Sequence, residues 1–299
     1  MTEKSAADRI RTYDRLVNSH ADGSKSVVIS GAMIESFAMF CRIDLLRSPK
    51  TVKEHVNSLR RYVKRSGNTI NATKIRDFLL RIRSEYPNPR THRAYLCMFK
   101  VFCRDFLGKD EWVATLKFPR IRLKIILDLP NREQLTRFFD ALPHDKAKTV
   151  FLLYCSSGLR KSEIFNARII RKIRAIIPTN HEQYSTKNSF ISFYNTETEQ
   201  YLKKIDYNLN ISEISIRRWF KKAYKITCVK ITPQVLREWF CSEMALLNVP
   251  DRYVDAFCGR VPRSVLAQRY TNFSVQTLKA IYDKANLTVL TQQATKITT

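Results

Sequence analysis

The chain of 299 residues has room for about two domains of roughly 100 to 200 residues, each able to bury its own core. Its 53 Lys and Arg against 27 Asp and Glu leave a net charge of +26, which excludes an ordinary near-neutral surface and favours a polyanionic partner, nucleic acid first. No apolar run reaches transmembrane length and no polybasic block sits beside a hydrophobic one, so a membrane surface is the weaker partner.

The first residues are broken up by Glu3, Asp8, Arg9 and Asp14, leave no apolar signal segment, and place the protein in the cytoplasm by expectation. The seven cysteines, Cys41, Cys97, Cys103, Cys155, Cys228, Cys241 and Cys258, include no Cys-x-x-Cys pair. They read as small hydrophobes in a reducing compartment rather than as a disulfide or zinc framework. His181-Glu182 begins a zinc-protease-like string, but Ser185 stands where the second histidine is needed. No metal and no cofactor is expected.

Residues 1–26 are polar and mixed in charge and are expected to form a flexible arm. Helical spacing begins with Met33, Ile34, Phe37 and Phe40. Ser48-Pro49 pairs a cap with a first-turn proline, opening a helix that turns Val52, Val56, Leu59 and Val63 inward and ends at Gly67. Another helix spans about residues 72–86, and Asn88-Pro89 repeats the cap device ahead of a stripe of Tyr95, Phe99, Phe102 and Phe106. That stripe is expected to be core rather than a base-stacking platform. Four helices with basic outer faces therefore fill residues 27–119, a surface suited to tracking phosphates.

Residues 120–130 alternate Arg120, Arg122 and Lys124 with Ile121, Leu123 and Ile125, which fits an extended linker on DNA and an edge strand equally. Asn131 caps the next segment, with helices near residues 134–142 and 146–155. The period then changes: residues 175–178 and 189–194 read as strands joined by a long turn that holds Lys187. Helical spacing returns from Thr196, through residues 211–224, into the helix that begins at Thr232, and again at Val275, Leu278, Ile281 and Tyr282 before a Thr-rich tail.

Two stretches gather residues with chemistry. In Thr232-Pro233-Gln234-Val235-Leu236-Arg237 the proline suits a first helical turn, and Gln234 and Arg237 fall at i and i+3, able to point at one target. Pro262 is expected to open a further short helix whose Val265 and Leu266 face inward and fix Tyr270, bringing a basic fork and a phenol together. Upstream, Ser156-Ser157-Gly158-Leu159-Arg160-Lys161-Ser162-Glu163-Ile164 holds a further arginine with Glu163 placed to orient it. In a chain with 13 tyrosines a lone Tyr270 would be an ordinary surface or core residue. The ordered recurrence of these stretches is the signal.

Thr-Pro-x-x-x-Arg followed by Gly259-Arg260 and a tyrosine resembles the C-terminal boxes of the tyrosine recombinases, the phage-integrase family, and the Gly158-Leu159-Arg160 stretch resembles their upstream box. The variant Gly-Arg-x-Pro-x-x-Val-Leu before the tyrosine is similar to that of integrases from archaeal fuselloviruses and related plasmids. The resemblance implies a mainly α fold with a small β-sheet: a helical core-binding domain at residues 27–119 and a catalytic domain at residues 131–299 that together clamp double-stranded DNA. It implies a dimer on each site and a tetrameric synapse, with the terminal helix either docked on a neighbouring subunit or packed on its own.

The implied activity is site-specific recombination, for integration or excision of a mobile element, through a 3′-phosphotyrosyl intermediate and without metal or ATP. Arg160 and Arg237 would clamp the non-bridging oxygens, Tyr270 would attack phosphorus, and Lys187 would protonate the leaving 5′ oxygen, with Lys172 and Lys203 as rival lysines. Two positions depart from the family. Gln234 stands where histidine is usual and can donate a hydrogen bond but cannot shuttle a proton. Arg260 stands where histidine or tryptophan is usual and is a permanent cation. Two alternatives share the sequence features: a DNA-binding regulator that kept the fold without catalysis, and a type IB topoisomerase-like enzyme.

Overall fold

The computed structural model describes residues 26–121, 128–165, 167–178, 190–260 and 271–290. The chain divides into two compact units, Met1–Lys124 and Ile125–Thr299. The expectations placed on the N-terminal arm, on residues 122–127, on Lys187 and its turn, on the short helix leading to Tyr270 and on the Thr-rich tail lie outside the described residues.

The N-terminal unit contains β1 (Val27–Val28), α1 (Gly31–Ile43), α2 (Pro49–Ser66), β2 (Thr69–Ile70), α3 (Ala72–Glu85) and α4 (Pro89–Phe99), which passes into a π-helical segment (Lys100–Phe106) and a 3-10 turn (Asp110–Trp112). Each α-helix opens on a side-chain oxygen that accepts a first-turn N–H, from Ser30, Ser48, Asn71 and Asn88. Pro49 and Pro89 take first-turn positions, where an N–H has no helical partner to lose. The aromatic stripe is core, as expected. Tyr95, Phe99, Phe102 and Phe106 are buried, Phe37 meets Phe102 edge-on at 5.0 Å, and Tyr62 lies 5.2 Å from Phe78 and 5.3 Å from Phe99. In α2 it is Tyr62 that fills the core and Val63 that is half-buried, because the Tyr62 hydroxyl donates to the Thr69 carbonyl at 2.9 Å and so satisfies its polar end. The antiparallel pairing of β1 with β2, Val27 opposite Ile70, was not read from sequence, since two-residue strands carry no alternation.

The second unit holds α5 (Arg132–Asp140), α6 (Asp145–Ser157), a 3-10 turn (Lys161–Ile164), β3 (Arg168–Ile170), β4 (Ala175–Ile177), β5 (Ser192–Phe193), α7 (Thr196–Lys204), α8 (Glu213–Thr227), α9 (Pro233–Leu246), α10 (Asp251–Phe257) and α11 (Val275–Ala285). The expected strands β4 and β5 pair antiparallel, Ala175 opposite Phe193, and β3 joins them as the third strand in the order β3-β4-β5. The fold is thus mainly helical with small sheets. Helix α6 is its axis: from Val150 to Ser157 every side chain is buried, and α7 and α9 pack against it. A helix stretch buried on all sides belongs inside a domain, and its Ser156 and Ser157 hydroxyls donate back to the Leu152 and Leu153 carbonyls.

Helix α11 packs on its own unit. Leu278 and Tyr282 are buried, and the Tyr282 hydroxyl donates to the Ser156 carbonyl at 2.7 Å. The residues after it are tied down as well: Asn195 donates to the Leu287 carbonyl at 3.1 Å, Glu197 accepts from the Val289 N–H at 2.7 Å, and Arg132 donates to the Thr288 hydroxyl at 2.7 Å. This is the self-packed arrangement of the two expected for this helix. Among the described residues no helix is long and apolar enough to cross a membrane.

Helix α6 ends at Gly158, whose φ of +62° is left-handed. A Cβ added there would lie 2.4 Å from Phe240 Cδ1 and 3.0 Å from Cys258 Sγ. Only glycine satisfies both the dihedral and the space, and this turn is what delivers Arg160 two residues later. The substitution Gly158→Ala should therefore destabilise the second unit by about 2 to 4 kcal/mol in denaturant titration, from overpacking plus backbone strain. An unchanged midpoint would mean that Phe240 moves aside freely.

Candidate active site

Three arginines meet at the turn that follows α10. Arg237, in the second turn of α9, is only 4% exposed. Its helix begins as the sequence implies, with the Thr232 hydroxyl accepting from the Val235 N–H at 3.2 Å and Pro233 in the first turn. From there the guanidinium reaches two backbone carbonyls: Nη1 donates to Gly158 and Nη2 to Cys258, both at 2.6 Å. Burial pushes the Arg237 pKa down, and the nearby Arg160 and Arg260 add to the effect.

Arg160 binds the next carbonyl along. Its Nη2 donates to Gly259 O at 2.8 Å, and its Nη1 donates to Glu163 Oε1. Glu163 Oε2 also accepts the Arg160 backbone N–H at 2.6 Å and lies 3.9 Å from Arg237 Nη1. One mostly buried carboxylate therefore orients Arg160 from both ends and faces Arg237. Consecutive carbonyls, of Cys258 and Gly259, hold arginines delivered by α9 and by the end of α6. Gly259 has a φ of +57°, a turn that a residue with a Cβ resists.

Arg260 completes the group. Its Nη1 donates to Asp255 Oδ1 at 3.2 Å, and its Nη2 lies 3.5 Å from Cys241 Sγ. Side-chain exposure rises from 5% at Arg237 to 26% at Arg160 and 45% at Arg260, so the cluster grades from a buried strut to an open face. Three guanidiniums face two carboxylates, Glu163 and Asp255, which leaves the turn positively charged. Fixed forks of N–H donors with excess positive charge suit an oxyanion such as a phosphodiester.

Gln234 does not share the bonds of this cluster. It is exposed, its amide donates to Glu238 Oε1 at 3.0 Å one turn along, and it lines a cleft of about 680 Å³ together with Lys161, Arg217, Lys221 and Lys230. Three residues along a helix rotate the side chain by about 60°; the inward pull of two carbonyls on Arg237 leaves Gln234 facing out. Of the remaining expected site residues, Arg160, Arg237 and Arg260 are together, while Lys187 and Tyr270 lie outside the described residues. Lys172 and Lys203 are exposed, in the turn between β3 and β4 and at the end of α7. Sequence reasoning missed the Gly158, Cys258 and Gly259 carbonyls, which no side-chain pattern reveals. It also missed Asp255 and Cys241; the latter's spacing of four from Arg237 on one helix was a readable hint. Among the described residues no three His, Cys, Asp or Glu side chains come together as a metal site needs.

Because a lysine ammonium cannot span both carbonyls, Arg237→Lys leaves the Gly158 or the Cys258 oxygen without its donor. A loss of about 1 to 3 kcal/mol in denaturant unfolding is expected from one unsatisfied buried acceptor. Wild-type stability in this variant would show that the two bonds do not carry the turn.

The sequence model described as archaeal phage integrase matches residues 127–286, just over half of the chain. No curated protein sequence matches significantly. Among solved structures, lambda integrase as a tetramer bound to a Holliday junction is similar with a TM-score of 0.60 at 12% identity, over 91% of this chain and 82% of that one. The Tn1549 transposon integrase in complex with transposon right end DNA gives a TM-score of 0.53 at 13% identity, over 84% of this chain and 98% of that one. These structural likenesses speak to the fold. Together with the arginine cluster, the sequence match over the second unit identifies the chain as a member of the archaeal phage integrase family, a tyrosine-type site-specific DNA recombinase.

Proposed function

We propose that the arginine cluster at the turn after α10 holds the scissile phosphate, and that Tyr270 is the nucleophile. The observation that carries the reading is the convergence of Arg160, Arg237 and Arg260 on one turn, ten residues in sequence before that tyrosine. The bonds to Glu163 and Gly259 use two of the five donors of Arg160, and Arg260 is the most open of the three. Both can meet non-bridging oxygens while Arg237 braces the turn. Tyr270 Oη loses its proton to solvent water and attacks phosphorus, the bond to the 5′ oxygen breaks, and that oxygen takes a proton from Lys187. A 3′-phosphotyrosyl link and a 5′ hydroxyl result, and attack by a 5′ hydroxyl reverses the step without ATP. Lys187 falls in the connection between β4 and β5, which supports it over Lys172 and Lys203. Gln234 contributes a phosphate hydrogen bond from the adjoining basic cleft.

The partner in this reading is double-stranded DNA, bound in the cytoplasm. The net charge of +26 supports it, as do solved relatives in complex with DNA. The four-helix N-terminal unit is the core-binding half and the second unit the catalytic half. Assembly as a dimer on each site and a tetramer in synapsis follows the lambda integrase structures, which include a dimer on a core site and a tetramer on a junction.

The test is incubation of the protein with labelled, nicked attachment-site DNA followed by denaturing electrophoresis. A protease-sensitive adduct is expected from the parent and none from Tyr270→Phe, while DNA binding persists with a steep salt dependence. Arg260→Ala should slow adduct formation about 100-fold, the size of one lost charge-stabilising donor. An adduct that survives in Tyr270→Phe overturns the assignment of the nucleophile, and binding with no adduct from the parent favours a regulator.

A further inference from the structure

The two cysteines beneath the arginines have no part in the reaction above. Cys241 lies on α9 one turn beyond Arg237, and Cys258 is the residue whose carbonyl Arg237 holds. Their sulfurs are 3.5 Å apart, and neither is in a disulfide. Cys258 is buried and Cys241 is only partly so, which makes Cys241 the more accessible of the two. Cys241 Sγ also lies 3.5 Å from Arg260 Nη2. A sulfur beside a guanidinium and within reach of a second sulfur has the surroundings of a reactive thiol with a resolving partner. A buried cysteine that merely fills space has neither neighbour.

We propose that Cys241 and Cys258 form a reversible thiol-oxidation site that a peroxide closes into a disulfide, displacing Arg260 and the Cys258 carbonyl and so switching off strand cleavage. Its effect on activity rests on the reading of the cluster as the phosphate site; formation of the bond does not. In the first step the Cys241 thiolate attacks one peroxide oxygen, the O–O bond breaks, and the products are a Cys241 sulfenic acid and hydroxide. Then the Cys258 sulfur attacks the Cys241 sulfur, the S–S bond forms, the S–O bond breaks, and the hydroxyl leaves with the Cys258 proton as water. The two sulfurs are oxidised by two electrons and the peroxide is reduced.

The electrostatics favour this order. The hydrogen bond from Cys258 and the charges of Arg260 and Arg237 hold the Cys241 thiol below its usual range, whereas the bond to Cys241 and burial push Cys258 up. Cys241 is thus the attacking thiolate and Cys258 the proton-bearing partner. Closing the bond draws the sulfurs from 3.5 Å to about 2.0 Å. Any movement of Cys258 in that closure shifts the carbonyl that braces Arg237 and the neighbouring Gly259 that braces Arg160. It also takes up the Cys241 sulfur that faces Arg260. A change at one pair of sulfurs therefore reaches all three arginines.

The experiment treats the full chain with limiting hydrogen peroxide, blocks remaining thiols by alkylation, and maps the cysteine peptides by mass spectrometry, with adduct formation on nicked DNA measured in parallel. A Cys241–Cys258 linked peptide, two hydrogens lighter than its reduced parts, is expected. Adduct formation should drop about 100-fold and return on treatment with dithiothreitol, in line with the loss of one charge-stabilising donor. In Cys258→Ala the ratio of treated to untreated activity should stay near one. Peroxide-treated wild-type protein in which both cysteines remain separately alkylated overturns the proposal, and that result does not depend on how any variant folds. A linked peptide with undiminished adduct formation overturns the coupling to the arginines. Absence of adduct even from the reduced protein, with the link still formed, overturns instead the reading of the active site.

Discussion

The second unit is organised around the burial of one charge. Arg237 is nearly inaccessible, and removing a guanidinium from water costs several kcal/mol unless its donors are met. Here two of them are met by the Gly158 and Cys258 carbonyls at 2.6 Å, with Glu163 at 3.9 Å as counter-charge. The two carbonyls belong to segments far apart in sequence, the end of α6 and the turn after α10. One side chain thus fixes both, and these are the segments that carry Arg160 and Arg260. In this sense the buried arginine is a strut whose cost is offset by the geometry it imposes on its more open neighbours.

The glycines follow from the same constraint. Gly158 has to turn left-handed, and it has to do so against the Phe240 ring, because α9 must approach α6 closely for Arg237 to reach the carbonyl. Gly259 has to turn so that successive carbonyls serve two arginines. The pairs Gly158-Leu159 and Gly259-Arg260, which in sequence look like short words, are in space the two halves of one backbone cradle. Leu159, fully buried, anchors the first half in the core.

Much of this was legible beforehand, and the reasons are physical. Caps and first-turn prolines at Ser48-Pro49, Asn88-Pro89 and Thr232-Pro233 announce helix starts because they act within a few residues, and each proved to be one. The aromatic stripe announced a core through its period. What stayed hidden depends on contacts between distant segments. The pairing of Val27 with Ile70 and the third strand β3 belong here, as does the choice of Tyr62 over Val63. Within the site, the ordered boxes located Arg160, Arg237 and Arg260. The division of labour among them was not readable, because backbone carbonyls leave no mark in a side-chain pattern. Gln234 illustrates the limit: helical spacing put it near Arg237, yet the direction in which Arg237 is pulled turns Gln234 toward Glu238.

The identity of the side chains at the cluster also bears on how the proposed reaction would divide its work. Arginine does not titrate in the accessible range, so stabilisation of the phosphorane by Arg160 and Arg260 is constant with pH. With glutamine where the resembled family usually has histidine, and arginine where it usually has histidine or tryptophan, neither position can relay a proton. In the proposed reaction, proton transfer would then rest on the attacking tyrosine and on the lysine proposed to protonate the leaving oxygen. In the proposal made above, the thiol pair under the arginines adds a group that does respond to its surroundings. The guanidiniums supply fixed charge, and control over them would act by moving the turn whose carbonyls hold Arg237 and Arg160 and which carries Arg260.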